Sequence, residues 1–300
     1  MIKHLSLKAY GKINLGLDVL RRREDGYHEV RMVMQTVGLY DRIDLVRKDA
    51  PGIAVETNLH YLPANENNLA WKAASLLMEE FRVKEGVQIR LRKFLPVAAG
   101  LAGGSSGAAG GRFGVSKMFG LGLTRRQLME RGVAIGADVP YCVLRGTALS
   151  EGIGEILTPL PPVPQCQVLI AKPAVSVSTR FVYEHLKADQ LRPDQHPDID
   201  GMLEAIRRGD LYGIAGCLGN ALETVTIPAY PVIGQIKEQM MERGSIGCLM
   251  SGSGPTVFGL FSSPRAAADA YEAFRYGPGR ELARQVYLTS FYTPRKQEEA

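Results

Sequence analysis

Residues 95–111 read LPVAAGLAGGSSGAAGG, a run with six glycines, five alanines and two adjacent serines. Glycine has no Cβ atom, so such a run lets backbone N–H groups approach an anion closely, and a helix that begins just after it adds the positive end of its dipole. One interpretation of the run is therefore a phosphate-binding loop. The alternative is a tight strand-to-helix turn whose small residues permit close packing, and the run alone favours neither.

Known glycine motifs can be compared with this run. A Walker A loop needs a lysine after its last glycine and a dinucleotide site needs GxGxxG, and the run has neither. Gly103 to Gly107 does fit GxSxG, the nucleophile turn of serine hydrolases. That chemistry needs a downstream histidine, and only His185 and His196 follow, both in charged, proline-flanked sequence. A hydrolase is therefore disfavoured.

Composition narrows the class of protein. The chain has 300 residues, 45% of them hydrophobic and 22% charged, which is typical of one large or two ordinary globular domains. A net charge of +5 suits an anionic small substrate, and the lack of a dense basic stripe gives no indication of nucleic-acid binding. The four cysteines and five histidines form no plausible metal cluster, and no run approaches the length of a membrane span. We expect a cytoplasmic protein with reduced thiols, no membrane span and no metal-ligating residues.

Periodicity gives the coarse organisation of the first half. Alternation predicts a strand or strand pair over 5–20, a turn at Asp25-Gly26, and strands over 32–40, 42–48 and 87–95. One apolar face at helical spacing predicts a helix over 66–81. Another helix is predicted after the glycine run, capped by Thr124 and ended near Gly132.

A segment with four prolines, TPLPPVPQ at 158–165, separates two patterned halves. We place a domain boundary there, giving domains 1–160 and 161–300. A strand over 166–173 opens the second half, and a strand pair around the turn in CLMSGSGPTVFGLF, 248–261, closes it. The expected fold class is α+β.

Four separated segments carry a resemblance to a known family. LPVAAGLAGGSS (95–106) resembles the phosphate loop of the galactokinase, homoserine kinase, mevalonate kinase and phosphomevalonate kinase (GHMP) superfamily. AYGKINLGLDVLRRREDGYHEV (9–30), IGADVPYCVLRGTALSEGIGEILTPL (135–160) and MSGSGPTVFGLF (250–261) are similar to the branch that acts on 4-diphosphocytidyl-2-C-methyl-D-erythritol in the non-mevalonate isoprenoid pathway. The resemblance runs from about residue 7 to residue 262.

The resemblance implies a two-domain GHMP kinase fold, with an N-terminal ATP-binding domain like domain 2 of ribosomal protein S5 and a C-terminal, ferredoxin-like substrate domain. It implies transfer of the ATP γ-phosphoryl group to the substrate's 2-hydroxyl in the cleft between them. Asp138, in GADVP, matches the family's catalytic aspartate, and Lys12, in GKINL, matches its active-site lysine. Taken alone, that aspartate would be a turn or cap residue and that lysine a solvent-facing strand residue.

For ATP, the resemblance implies that backbone amides of the loop hold the phosphates, with magnesium held mainly by phosphates and water. The loop residues are Pro96, Val97, Ala98, Ala99, Gly100, Leu101, Ala102, Gly103, Gly104, Ser105 and Ser106. Asn68 matches a position near the adenine, although it could equally cap the helix that follows it. Lys93, just before the loop, would help to offset the triphosphate charge.

For the cytidine end, Tyr27 and His28 of DGYHE match the family's cytosine-recognition residues. Tyr183 aligns with an aromatic residue that would cover the other face of the base, with core packing as the alternative. Asn14 and Thr179 are candidates for polar contacts with the diphosphate or erythritol end. The expected partner is this small molecule alone, bound by a monomer or weak homodimer.

The sequence departs from the family pattern after the two serines. Gly107 stands where relatives usually have Asn or Asp, and Gly110, Gly111 and Gly114 fall where the next helix should run. Interior glycines cost roughly 1 kcal/mol each relative to alanine, which predicts a weak helix and a more mobile loop. Three alternatives stay open: a homoserine or mevalonate type of kinase, the serine hydrolase, and an RNA-binding module with the same N-terminal fold.

Overall fold

The computed structural model describes residues 2–294, which form two β-sheets flanked by helices. The strands are β1 (His4–Arg22), β2 (His28–Lys48), β3 (Ile53–Thr57), β4 (Gly86–Arg92), β5 (Thr147–Glu151), β6 (Ile156–Pro159), β7 (Gln167–Lys172), β8 (Gly219–Asn220), β9 (Gly247–Met250), β10 (Val257–Phe261) and β11 (Gln285–Ser290). The α-helices are α1 (Leu69–Glu80), α2 (Gly103–Met118), α3 (Arg125–Gly132), α4 (Asp138–Leu144), α5 (Thr179–His185), α6 (Ile199–Arg208), α7 (Leu211–Gly216), α8 (Glu223–Ala229), α9 (Val232–Glu242) and α10 (Pro264–Arg275).

The two sheets divide the strands close to the proline-rich segment. The first sheet has the order β3-β4-β2-β1-β8, with β5 on β2 and β6 on β5, and the second has the order β11-β7-β10-β9. The mixed α+β class is therefore confirmed. The short β8 joins the first sheet although it comes from the second half, and the boundary between 160 and 161 remains a prediction. Residues 1 and 295–300 of the two predicted domains lie outside the described residues.

The long antiparallel pair β1 and β2 is the frame of the molecule. Burial alternates from residue 4 to residue 10, as expected where one sheet face is solvated, whereas residues 11–19 are all buried. The outer part packs against α1 and α2, and the inner part, including Ile13 and Leu15, packs against Val168 and Phe258 of the second sheet. The structure shows β1 as one strand, and it joins the strands predicted at 32–40 and 42–48 into one, β2.

Local signals elsewhere agree with the prediction. Thr124 caps α3 through a capping box with Gln127, and the helix ends at Gly132. The strand pair β9 and β10 encloses the turn at residues 251–254, which we call the second glycine-serine turn because the glycine loop (residues 95–106) is the first. The Asp25-Gly26 turn joins β1 to β2. No helix within residues 2–294 is long and apolar enough to cross a membrane. All four cysteines are free thiols, two buried and two half-buried.

The glycines inside α2 serve close packing. A Cβ atom at Gly110 would lie 2.4 Å from Ile43 Cδ1, and one at Gly114 would lie 2.6 Å from Leu45 Cδ1. Here the helix therefore lies directly on β2. The prediction of a weak helix did not include this contact, and α2 is continuous over 16 residues. Gly107 differs, because a Cβ atom there would meet nothing within 4 Å.

Candidate active site

A cavity of about 720 Å³ lies where β1, the glycine loop (residues 95–106) and the second half of the chain meet. Its wall includes parts of the loop, the start of α4, the start of α5 and the turn between β9 and β10. The predicted residues on its wall are Lys12, Asn14, Tyr27, His28, Ala98, Ala99, Gly100, Ala102, Gly103, Gly104, Ser105, Asp138, Thr179 and Tyr183. Segments up to 241 residues apart in sequence, from Lys12 to Ser253, thus converge on one space.

Lys12 and Asp138 lie side by side on the wall of the cavity. Lys12 Nζ lies 3.8 Å from Asp138 Oδ2 and donates to Asn14 Oδ1 at 2.7 Å. Lys12 and Asn14 point the same way because they are two residues apart on β1, and register shifts in the β1–β2 ladder occur on both sides of them. The lysine is buried, whereas the Asp138 side chain, at the first turn of α4, is 33% exposed to the cavity. An accessible carboxylate can accept a proton, and the buried ammonium group beside it can stabilise developing negative charge.

The glycine loop is held against the second glycine-serine turn. Gly100 has φ +72°, a conformation that favours glycine, and a Cβ atom there would lie 2.0 Å from the Ser251 carbonyl oxygen. Ser251 Oγ in turn donates to the Gly100 carbonyl oxygen at 2.9 Å, and Lys12 N donates to the Leu101 carbonyl at 3.2 Å. The small residues of the loop therefore allow both the close approach of backbone to backbone and an open face toward the cavity.

The open face consists of the first turn of α2. Its N-cap, Ala102, gives no side-chain hydrogen bond, so the amides of Gly103, Gly104 and Ser105 are available to an anion at the positive end of a 16-residue helix. Ser106 does not belong to this set, because its amide donates to the Ala102 carbonyl and its hydroxyl donates to Tyr10 O at 2.6 Å.

Two other members of the predicted phosphate loop also have different positions. Pro96 has no N–H group to donate, and it lies buried where the loop begins. Leu101 packs in the core between the two sheets. Of the predicted run from Pro96 to Ser106, the first turn of α2 is the part with available amides, at Gly103, Gly104 and Ser105, and phosphate binding by the run stays a prediction.

A smaller cavity, of about 210 Å³, adjoins the first and shares Ala98, Gly103 and Gly104 with it. Asn68 and Lys93 are on its wall together with Pro96, Val97 and Gly107. Asn68 caps α1, since its Oδ1 accepts from Ala70 N at 2.9 Å, and its place near the adenine stays a prediction. The Lys93 ammonium group already binds Asp41 and the Gly103 carbonyl.

Three rings form the other end of the large cavity. Tyr27 follows the Asp25-Gly26 turn and is 60% exposed, and the His28 and Tyr183 rings are 5.1 Å apart at 40°. Burial, with a smaller contribution from Arg22, lowers the pKa of His28, so the neutral imidazole is favoured. Burial, and secondly the charge of Asp138, raises the pKa of the Tyr183 hydroxyl. Tyr183 also packs on the hydrophobic core, so the alternative interpretation of this residue describes part of its surroundings.

The structure adds residues that the sequence did not single out. Ser253 Oγ lies 2.8 Å from Thr179 Oγ1, and Gly252 is beside Asn14 on the cavity wall. Both belong to the MSGSGP segment, so its resemblance to the family pattern was the available signal. Buried Asp41 holds the start of the glycine loop, and nothing in its local sequence indicated this.

The serine hydrolase alternative lacks its base. His185 Nδ1 lies 2.8 Å from Phe181 O, and His196 Nδ1 lies 2.8 Å from Asp18 Oδ1. Both rings are engaged away from Ser105, whose segment is the first turn of α2. The GxSxG match therefore reflects the glycine loop rather than a nucleophile turn.

Acidic side chains in the large cavity are few. Glu184 pairs with Arg180 at 2.7 Å, which leaves Asp138 as the carboxylate beside the loop. Within residues 2–294, no group of three or more His, Cys, Asp or Glu side chains could hold a metal ion. Such a donor set fits an ion that is bound mainly by phosphate oxygens and water.

Comparisons with known proteins agree with this geometry. The family model described as GHMP kinases N terminal domain matches residues 68–146, and the one described as GHMP kinases C terminal matches residues 202–278. The 4-diphosphocytidyl-2-C-methyl-D-erythritol kinase of Lachnospira eligens is 54% identical over 293 residues, which cover 98% of this chain and 100% of that protein.

Solved structures give the same picture. A crystal structure of 4-(cytidine 5'-diphospho)-2C-methyl-D-erythritol kinase matches with a TM-score of 0.80 at 31% identity, covering 97% of this chain and 100% of that one. A homoserine kinase from Cytophaga hutchinsonii matches with a TM-score of 0.78 at 19% identity, covering 98% and 96%, and this shows a common fold alone. The chain belongs to the GHMP kinase family, in its 4-diphosphocytidyl-2-C-methyl-D-erythritol kinase branch.

Proposed function

We propose that this kinase transfers the γ-phosphoryl group of ATP to the 2-hydroxyl of 4-diphosphocytidyl-2-C-methyl-D-erythritol with Asp138 as the base and Lys12 as its partner. The observation that carries this assignment is the 3.8 Å approach of Lys12 Nζ to Asp138 Oδ2 on the wall of the large cavity. Amides that suit phosphate and rings that suit a base lie on the wall of the same cavity as this pair.

Phosphoryl transfer asks mainly for positioning and charge stabilisation. The triphosphate binds at the amides of Gly103, Gly104 and Ser105, with the adenine toward the smaller cavity and Asn68. Asp138 accepts the proton of the attacking hydroxyl, and Lys12 stabilises negative charge on the transferred group. Asn14 accepts from Lys12 Nζ and so fixes where that ammonium group points.

The cytidine end of the substrate binds among Tyr27, His28 and Tyr183. Stacking accepts any base, so selectivity for cytosine requires hydrogen bonds to its edge, for which neutral His28 is the candidate. Thr179, linked to Ser253, and Asn14 line the same cavity as the rings and the catalytic pair, and they are the candidates to contact the diphosphate and erythritol parts.

Magnesium is proposed to enter with ATP, held by phosphate oxygens and water. When bound, the ion supplies positive charge that offsets the charge of the phosphates. The cytoplasmic location and the monomeric or weakly dimeric state remain predictions.

The test is ADP formation by wild type and by Asp138→Asn with the cytidyl substrate. The variant should lose about 10²- to 10⁴-fold in kcat, the range for a general base, while still binding ATP. Asp194→Asn, an exposed aspartate outside the cavity, is the matched control and should keep wild-type kcat. ADP formation that survives in Asp138→Asn, or that is faster with homoserine or mevalonate, would overturn the assignment.

A further inference from the structure

Asp41 is a buried carboxylate outside the cavity that binds the start of the glycine loop. It is 1% exposed, and its Oδ1 accepts from Phe94 N at 2.6 Å and from Leu95 N at 2.8 Å. Its Oδ2 binds the ammonium group of Lys93. A carboxylate at full burial with three donors is a strongly directional anchor, because hydrogen bonds to an ionised acceptor are roughly twice as strong as neutral ones.

Lys93 carries this anchor to the far end of the loop. Its side chain is 7% exposed, and Nζ also donates to the Gly103 carbonyl oxygen at 2.9 Å. Gly103 is the first residue of α2, so one ammonium group links Asp41 to the point where the helix begins. The backbone of residue 93 is itself fixed by Asn58, whose Oδ1 accepts from Lys93 N at 2.7 Å.

We infer that Asp41 and Lys93 form a brace that positions the phosphate-facing amides of the glycine loop. The brace joins Phe94 and Leu95, where the loop begins, to Gly103, where its anion-facing turn begins. Donors that are already fixed need no reorganisation when an anion binds, which is the condition for strong electrostatic stabilisation. The inference rests on the proposed function for its effect on ATP, but the loop geometry itself does not.

The brace gives Lys93 a different role from direct contact with the triphosphate. Its ammonium group would have to leave both Asp41 and the Gly103 carbonyl to reach a phosphate, and Asp41 would then be a buried unpaired charge. Lys93 and Asp41 are therefore positioning residues. They act on the nucleotide through the amides of Gly103 to Ser105.

Two variants break the brace, and a third breaks a more exposed ion pair between the same two strands. Lys93→Met removes the link to Gly103, and Asp41→Asn keeps an acceptor oxygen for Phe94 and Leu95 but loses the charge. Arg47→Met is the matched control, since Arg47 on β2 pairs with Glu85 just before β4, at the opposite end of the same two strands.

Two readouts are measured on the full chain: amide hydrogen exchange over residues 96–105 without ligand, and KM for each substrate. In both brace variants, exchange over 96–105 should rise at least tenfold and KM for ATP about tenfold, with KM for the cytidyl substrate within twofold. The double variant should resemble the single ones, because the same link is lost once. Arg47→Met should change neither exchange over 96–105 nor KM for ATP.

The outcomes separate the brace from the proposed function. Unchanged exchange over 96–105 in both variants, or an equal rise in Arg47→Met, overturns the brace. Faster exchange with an unchanged KM for ATP supports the brace but overturns the loop as the phosphate site. If Lys93→Met does not fold, Asp41→Asn decides by the same two measurements.

Discussion

The two ends of the large cavity are built from different material. The proposed phosphate end consists of backbone amides at the first turn of α2, where Gly100 lies against Ser251 and Asp41 binds the backbone of Phe94 and Leu95. The proposed base end consists of the rings of Tyr27, His28 and Tyr183, on a turn, a strand start and a helix. A site made of backbone fails when side chains are added, whereas a site made of side chains fails when they are removed.

This difference suits what each end is proposed to bind. Phosphate oxygens need several short N–H donors on a concave surface, which side chains crowd out. A nucleobase needs broad apolar faces and a few edge contacts, which backbone alone cannot supply. Substitutions at the two ends should therefore change the KM of one substrate and leave that of the other unchanged.

Gly100→Ala should give the largest effect, at the phosphate end. The added Cβ would lie 2.0 Å from the Ser251 carbonyl oxygen at φ +72°, so the loop and the turn must separate. We expect kcat/KM for ATP to fall at least 100-fold, about 2.7 kcal/mol, measured by initial rates of ADP formation. Gly120→Ala is the control, with φ +64° and nothing within 4 Å. Equal values of kcat/KM for ATP in Gly100→Ala and Gly120→Ala would contradict this prediction.

Tyr183→Leu tests the base end. Loss of one stacking face costs about 1–3 kcal/mol, so KM for the cytidyl substrate should rise between about 5- and 150-fold. KM for ATP should stay within twofold. Tyr183→Phe keeps the ring and its core packing, and it should stay near wild type in both constants. A matching rise in both KM values in Tyr183→Leu would show a general loss of structure instead.

The sequence was sufficient where the physical reason is local. Thr124 caps α3, as its position directly before the helix predicted. The catalytic roles proposed for Lys12 and Asp138 depend on the family resemblance, because each residue alone has an ordinary structural interpretation. Their approach to 3.8 Å depends on how β1 and α4 meet, which the sequence does not show.

Contacts between residues that are far apart in sequence could not be predicted from the sequence. Asp41 lies more than 50 residues before the amides that it holds, and Ser251 meets Gly100 across 151 positions. Gly110 was interpreted by helix propensity, a local quantity, whereas its neighbour Ile43 comes from another strand. Glycine therefore avoids a clash at position 110 but faces open space at position 107, and only the packing distinguishes the two positions.

Gly110→Ala sharpens that distinction within the helix that carries the phosphate end. Alanine favours a helix by about 1 kcal/mol, but its Cβ would lie 2.4 Å from Ile43 Cδ1. Overpacking of a core typically costs 1–3 kcal/mol, so we expect a net loss of up to about 2 kcal/mol in the free energy of unfolding. Denaturant titration measures it. Gly110→Ala with Ile43→Val, which removes the colliding methyl group, should recover part of the loss.

Gly107→Asp should give the smallest effect, and of opposite sign. A Cβ atom at this position meets nothing within 4 Å, and the residue lies near the positive end of α2 and on the wall of the smaller cavity. Removing a helical glycine and adding a negative charge near that end should together stabilise the fold by about 0.5–1 kcal/mol. Gly107→Asn, without the charge, separates the two contributions in the same denaturant titration. KM for ATP, measured in parallel, should fall as α2 becomes more stable. If neither stability nor KM for ATP improves in Gly107→Asp, the glycine is no handicap to the phosphate end, and the departure from the family pattern has no energetic consequence there.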